Sequence, residues 1–396
     1  MALAASAGTV GGMLTFTGPT SDVGTPYGQG IQDSIAYINE HGGINGTKIN
    51  MPTVDYGYEV PRAIAAYKKW QSGLHPVVIQ GWGTSDTEAL VPFITRDKIV
   101  YMSASYSGHL TDPTGEAEHS KFAAPYNFFY GPTYTDGCRA MASWAMKDWK
   151  SEDDNKGTPK WIHMGADHPY PNAPKAGCSA WAEKLGFEVL PSITYSLTPA
   201  DFKAQCLSLR SAGANYAYLA NTAASNVALM KACDTVGVDV QFVTNVWGFD
   251  ELSAPAAGEA GDDIVFPVGA APWGTDVPGM ETIRAISKVS DPSGKKERAL
   301  HYMRGVCSVF FMRDAMRMAD EQGDITSESI KAALESMTDH VPAELEGVCL
   351  PHTWTPTSHR GTTQVMVYQS QWEDGDYTFN HLTTVELPRG EQYLGW

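Results

Sequence analysis

No stretch of this sequence approaches the ~20 consecutive apolar residues that a membrane-spanning helix needs, and it has no long run of lysine and arginine. Basic residues are outnumbered, with 28 Lys and Arg against 45 Asp and Glu, for a formal net charge of −17. A generally negative surface argues against non-specific attachment to nucleic acid or anionic lipid. Metal-type cysteine spacings are missing too. Cys138, Cys178, Cys206, Cys233, Cys307 and Cys349 lie far apart, with no CxxC and no Cys/His cluster, so no zinc site is expected. Several of them occupy apolar helical positions, where free cysteine serves as core filling. An oxidising compartment would permit disulfides, with a pairing that the spacing does not dictate. The motifs HExxH, GxSxG and GxxxxGK[ST] are also absent, which removes the commonest metallopeptidase, hydrolase and nucleotide-binding signatures. Ser85 lies in GTSDT, without nucleophile-elbow spacing, and His163, Asp167 and His168 read as ordinary strand and loop groups. No catalytic constellation, no metal and no cofactor are expected.

What the chain does have is length and apolar material. Its 396 residues are 43% hydrophobic and include 11 Trp and 18 Tyr. Single cores stop growing beyond ~250–300 residues, so two cores are expected, with aromatic surface left for a pocket. The opening MALAASAGTV is rich in small residues and reads either as the remnant left by signal-peptide removal, with an added Met, or as an ordinary flexible N-terminus.

The segment around which the chain is organised is 81–106, GWGTSDTEALVPFITRDKIVYMSASY. An apolar strand, 75–80, runs into a turn at Gly81 and Gly83. A helix follows, with Ser85-x-x-Glu88 as a capping box, and then a second strand, 98–103. That strand ends in the small hydroxylated run Ser103-Ala104-Ser105 and Tyr106. Hydroxyls and free helix N–H groups at the carboxyl ends of parallel strands form a rim suited to small anions.

On either side the strand–helix rhythm repeats, which implies parallel sheets covered on both faces. Residues 8–16 read as a buried strand, 17–30 as a Gly/Pro/Thr loop, 31–40 as a helix and 48–56 as a strand. A helix over 60–71 precedes the central segment. After a loop at 107–125 and a short aromatic strand at 127–130, the rhythm restarts. Its strands are 161–164, 188–193, 216–220 and 240–243, ending at Asn221-Thr222 and at Asn245-Val-Trp247. Thr198-Pro199-x-Asp201 reads as the start of a helix. Residues 300–318 are apolar nearly all round, so that helix is expected to be buried, and Thr326 is expected to cap the next one. The tail alternates and turns at Asp374-Gly375, a hairpin signal.

LTFTGPTSDVGTPYGQG followed by a helix and HGGING resembles the N-terminus of type I periplasmic solute-binding proteins of ABC importers, nearest the branched-chain amino-acid-binding family. PYNFFYGPTYTDG resembles that family's first crossing between lobes. The resemblance implies an α/β fold of two Rossmann-like lobes with parallel sheets, joined by a three-strand hinge. Lobe 1 would comprise 8–131 and 268–345, lobe 2 132–267 and 346–396, with a ligand cleft between them. It implies ligand contacts from Thr84 or Ser85, Ala104 and Tyr106 in the first lobe, beside Ser105. In the second they come from Tyr170, Asn221, Thr222 and Trp247. Trp82, Tyr106, Tyr170 and Trp247 all fall at expected strand ends, where they either sandwich an apolar or aromatic acid, stack on a cation, or pack the hinge and lobe surfaces.

Amino-acid binders of the family place an acid in the second lobe to pair the ligand's ammonium, whereas positions 245–247 here are Asn-Val-Trp. Asp167 and Asp250 are the acids that could replace it. The ligand therefore stays open between a branched-chain amino acid, an aromatic acid and a small amide or amine. The implied partners are that ligand and a membrane permease, with no nucleic acid and no membrane insertion. The chain is expected to act as a periplasmic monomer. A ligand-binding sensor is the alternative, and a cleft enzyme ranks below it.

Overall fold

A computed structural model describes residues 8–151 and 156–396. Most of the opening MALAASAGTV, residues 1–7, and part of the charged stretch around 151–159 lie outside the described residues. The chain divides into two compact units. The first comprises 1–131, 270–362 and 390–395, and the second 132–269, 363–389 and Trp396. Residues 346–362 and 390–395, expected with the second lobe, are thus part of the first unit, and 268–269, expected with the first lobe, are part of the second. For 346–362 the reason is covalent and polar. Cys349 is bonded to Cys307, His352 accepts the Gly131 N–H at 2.9 Å, and His359 bonds the Asn127 carbonyl and Glu335.

In the first unit the order is β1 (Val10–Leu14), α1 (Ser21–Glu40), β2 (Thr53–Asp55), α2 (Val60–Gly73), β3 (Val78–Gln80), α3 (Thr84–Asp97), β4 (Val100–Ser103) and β5 (Asn127–Phe129). The five strands pair β2-β1-β3-β4-β5, every pair parallel. In the second unit come α4 (Tyr134–Ser151), β6 (Lys160–Gly165), α5 (Pro169–Asn172), α6 (Lys175–Leu185), β7 (Glu188–Val189), β8 (Ile193–Thr194) and α7 (Lys203–Ala212). These are followed by β9 (Tyr216–Leu219), α8 (Ala223–Thr235), β10 (Gln241–Thr244), α9 (Ala254–Ala257) and β11 (Val265–Val268). The chain then contributes α10 (Met280–Ser287), α11 (Leu300–Glu321) and α12 (Ser327–Glu335) to the first unit. It ends its strands in the second with β12 (Gln364–Glu373) and β13 (Asp376–Glu386). The second sheet runs β13-β12-β11-β10-β9-β6-β7, with β8 also on β6. It is parallel except for the hairpin strands β12 and β13.

Three local readings of the sequence are corrected. Residues 21–30 are helical, not a loop: α1 begins at Ser21 and contains Pro26. Its glycines cost helix propensity but allow close packing. A Cβ on Gly30 would lie 2.3 Å from the Tyr302 carbonyl oxygen, and one on Gly305 of α11 would lie 2.3 Å from that of Tyr27. Helix α7 starts at Lys203, not at Thr198-Pro199, because the Asp201 carboxylate folds onto the Lys203 amide and the Ser196 hydroxyl onto that of Thr198. The strand expected over 188–193 breaks into β7 and β8.

Other expectations match. Helix α11 is buried along nearly its whole length, Thr326 caps α12 with a reciprocal bond to Ser329, and β12 and β13 form the tail hairpin.

All six cysteines are paired rather than filling the core as free thiols: Cys138–Cys178, Cys206–Cys233 and Cys307–Cys349. Each pair closes within one unit. No helix among the described residues is long and apolar enough to cross a membrane.

Candidate functional site

In the first unit the sequence-selected residues gather at the carboxyl ends of β3 and β4. Helix α3 starts at Thr84, with Gly83 in extended geometry as its cap residue. Ser85 is therefore the second helical residue, and the capping box expected between Ser85 and Glu88 does not form. Glu88 instead bonds His109 Nδ1 at 2.8 Å and accepts the Ser107 hydroxyl at 2.9 Å.

The Ser105 hydroxyl donates to Thr84 Oγ1 at 2.8 Å, and the Ser103 hydroxyl donates to the Ser105 carbonyl at 3.0 Å. Thr84, Ser105, Ala104 and Tyr106 are all buried, and Ser85 is partly exposed. The Ala104 amide donates to the Gly81 carbonyl at 3.2 Å, prolonging the β3–β4 ladder by one bond. Trp82 donates its indole N–H to Thr20 at 3.0 Å and lies 5.4 Å from the Tyr27 ring, so it packs against α1. Tyr106 lies 5.7 Å from Phe129.

Three residues of this region were not singled out from the sequence. The Gly83 amide donates to the Tyr56 hydroxyl at 3.2 Å, and the Thr84 amide to that of Tyr58 at 3.4 Å. Two of the helix-end N–H groups are thus satisfied by neutral phenols. The third is Asp86, which is fully buried and whose acid burial pushes up to about 7, against the pull of Tyr56 and nearby amides. The Tyr-x-Tyr pair directly after β2 was the available signal.

In the second unit, Tyr170 lies in the short helix α5. Its hydroxyl donates to Asn245 Oδ1 at 2.8 Å, and the Trp247 amide donates to the same oxygen at 2.7 Å. The Trp247 indole N–H reaches the Tyr134 hydroxyl at 3.3 Å, and the Tyr134 and Tyr170 rings meet edge-on at 5.3 Å. Tyr170, Trp247 and Tyr134 thus form one aromatic cluster fixed by Asn245. Tyr134 and Asn245 were missed as members, although Tyr134 stands within PYNFFYGPTYTDG.

Asn221 is occupied on both sides. Its Oδ1 accepts the Ala166 amide at 2.8 Å, and its Nδ2 donates to the Ser196 carbonyl at 2.9 Å and to Ser225 at 3.2 Å. It ties three loops together beside the cluster. Thr222, in the cap position of α8, makes no side-chain capping bond, and its buried hydroxyl has no partner.

The two acids proposed as ammonium partners serve local turns. Asp250 accepts the amides of Leu252 and Ser253 at 2.7 and 2.8 Å. Asp167 is exposed and accepts the Asn172 side-chain amide at 3.0 Å. Among the described residues no group of three or more His, Cys, Asp or Glu could hold a metal ion.

A family model described as "Periplasmic binding protein" matches residues 8–376. The chain belongs to the periplasmic binding protein family, which places its work outside the cytoplasm. Three disulfides suit an oxidising compartment of that kind.

Among solved structures, the chain is similar to an ABC-transporter substrate-binding protein from Aeropyrum pernix. The identity is 27% and the TM-score 0.82, with 97% of this chain and 98% of that one covered. It is also similar to a branched-chain amino acid ABC transporter protein from Thermus thermophilus with bound valine, at 19% identity and TM-score 0.81, covering 95% and 96%. A third is a solute-binding protein from R. palustris in complex with 4-hydroxybenzoate, at 17% identity and TM-score 0.76, covering 96% of each chain. The fold is accordingly that of type I periplasmic binding proteins. No curated protein matches the chain in sequence.

Proposed function

We propose that the protein is the extracytoplasmic solute-binding component of an ABC importer. In this reading it captures a small carboxylic acid between its two lobes and delivers it to a membrane permease. The ligand's carboxylate is received by Thr84, Ser85, Ser105, Tyr106 and the backbone at Ala104, with Trp82 as their support. Tyr170, Trp247 and the unengaged Thr222 hydroxyl take its other end, held in place by Asn221. The carrying observation is the pair of acids turned to local use. Asp167 and Asp250 spend hydrogen bonds on their own loops, which leaves them less suited to a buried ligand ammonium, and burying one without a partner is costly. An acid with an apolar or aromatic body therefore fits the Tyr134–Tyr170–Trp247 cluster better than an α-amino acid does. The periplasm is the compartment of this reading, and the working unit is a monomer.

Closure follows from the physics of two states. A ligand that touches both lobes stabilises only the closed form, and a micromolar Kd corresponds to about −8 kcal/mol, enough to shift a hinge with a gap of a few kcal/mol.

A thermal-shift screen with 4-hydroxybenzoate, octanoate and valine tests the reading. The expected result is stabilisation by at least one of the first two, larger than by valine, with the compound recovered intact. Ser85→Ala and Tyr106→Phe should each weaken that ligand by about three- to tenfold in calorimetry, the worth of one hydrogen bond. Unchanged affinity in both would remove the first-lobe anchor. Consumption of the compound would favour an enzyme instead.

A further inference from the structure

Inside the first unit lies a carboxylic acid without a cation to balance it. Asp86, the third residue of α3, is fully buried, and neither of its oxygens makes a hydrogen bond of normal geometry. The groups facing it are neutral: Tyr56 and Tyr58 from the segment after β2, Tyr101 from β4, and the amides of Gly83 and of Asp86 itself. A Cβ on Gly83 would fall 2.5 Å from Asp86 Oδ1 and 1.8 Å from the Tyr58 ring, so acid, glycine and phenol are in close contact. No lysine, arginine or histidine among the described residues contributes to its charge balance.

The same helix end carries Thr84 and Ser85. Its amides at 83 and 84 rest on phenol oxygens, so the positive end of the α3 dipole meets a full negative charge only when Asp86 ionises or an anion arrives. Two carboxylates within the first turn of one helix, screened from water, raise each other's energy.

We propose that Asp86 sets the charge of this anchor, so that an anionic ligand is captured together with one proton held on Asp86. The inference rests on the reading that Thr84, Ser85 and Ser105 receive the ligand's carboxylate. Asp86 is a positioning residue in it, since it acts through the helix end and the phenols rather than by touching the ligand. Burial places its titration near neutrality, at about 7. If only the protonated form is competent, apparent affinity falls about tenfold between pH 6 and pH 8.

The test is calorimetry on the wild-type chain with whichever of 4-hydroxybenzoate, octanoate and valine stabilises it most at pH 6. Titrations at pH 7.5 in phosphate and in Tris, whose ionisation heats differ, read the protons exchanged. The expected result is uptake of about 0.8 proton per ligand, from that titration point, with the tenfold loss of affinity by pH 8. Asp86→Asn should show neither. Binding with no uptake and a flat pH profile overturns the proposal and leaves the carboxylate reading standing, as does uptake that persists in Asp86→Asn. Failure of all three acids to bind at any pH overturns both. The wild-type measurement stands by itself should Asp86→Asn fold poorly.

Discussion

Two buried residues give this protein opposite responses to pH. The folded-state acid of Asp86 is raised to about 7 from an ordinary value near 4. The folded state therefore holds a proton that the unfolded chain has lost between those values, and stability declines as pH rises from about 4 to 7. His163 on β6 behaves the other way. It is buried, neither ring nitrogen makes a hydrogen bond of normal geometry, and burial with the nearby Lys175 charge pushes its acid down to about 3, against the weak pull of the Pro171 carbonyl. The unfolded chain protonates this imidazole below ~6.5 and the folded one does not, so stability declines as pH falls from about 6.5 to 3. Each pH unit of such a window is worth about 1.4 kcal/mol.

Asp86→Asn should therefore flatten the neutral side of the stability–pH curve. His163→Met should retain about 2–3 kcal/mol more of its pH 7 stability at pH 4.5 than wild type does. Urea unfolding at pH 4.5, 5.5, 6.5 and 7.5 reads both, and parallel curves for either variant and wild type would refute the corresponding assignment.

At the scale of elements, the packing of α1 on α11 depends on two glycines facing each other's backbone. Gly30 approaches the Tyr302 carbonyl and Gly305 approaches that of Tyr27, each with no room for a methyl group. Overpacking usually costs 1–3 kcal/mol, and here the obstacle is backbone that cannot rotate away. Gly305→Ala should cost at least about 2 kcal/mol, against a gain of about 0.8–1 kcal/mol for Gly→Ala on an open helix face. Denaturant unfolding of Gly305→Ala decides it, and wild-type stability would show that the helices can separate at no cost. This pairing also explains why α1 was read as a loop over its first ten residues. Gly24, Pro26, Gly28 and Gly30 weaken every local helix signal, and the glycines are rewarded only by close approaches in space, Gly24 to Thr15, Gly28 to Phe16 and Gly30 to Tyr302. The Ser85–Glu88 pair failed for the converse reason. Its spacing satisfied the capping rule, but His109 and Ser107, about twenty residues on, hold Glu88 elsewhere.

At the scale of the molecule, the disulfides staple the interior of each unit and leave the passages between units without covalent restraint. Cys138–Cys178 ties α4 to α6, Cys206–Cys233 ties α7 to α8, and Cys307–Cys349 ties α11 to the segment before His352. The bridged positions are 40, 27 and 42 residues apart, for which loop-closure entropy gives about 3–4 kcal/mol each. The double variant Cys206→Ala/Cys233→Ala should lower the Tm by roughly 6–12 °C. Protein made in an oxidising compartment should show no free thiol when unfolded without reductant and six after reduction. Detection of thiols before reduction would contradict the pairing.

The sequence by itself determined the alternation of strands and helices, and from it the parallel sheets. It also determined where polar and aromatic residues stand at strand ends, because period, caps and turn residues act over a few neighbours. Gly81–Tyr106 and the Asn221, Tyr170 and Trp247 loops were legible for that reason. Only the tertiary structure decided what those side chains bond to. Asn221 is consumed by three loops, Asp250 closes its own turn, and Asp86 sits among tyrosines drawn from two other segments. Cysteine pairing and the place of residues 346–362 were likewise set by partners dozens to hundreds of residues away. Hydrogen bonds, burial and disulfides depend on distance in space, and a linear pattern of residue types carries no record of that distance.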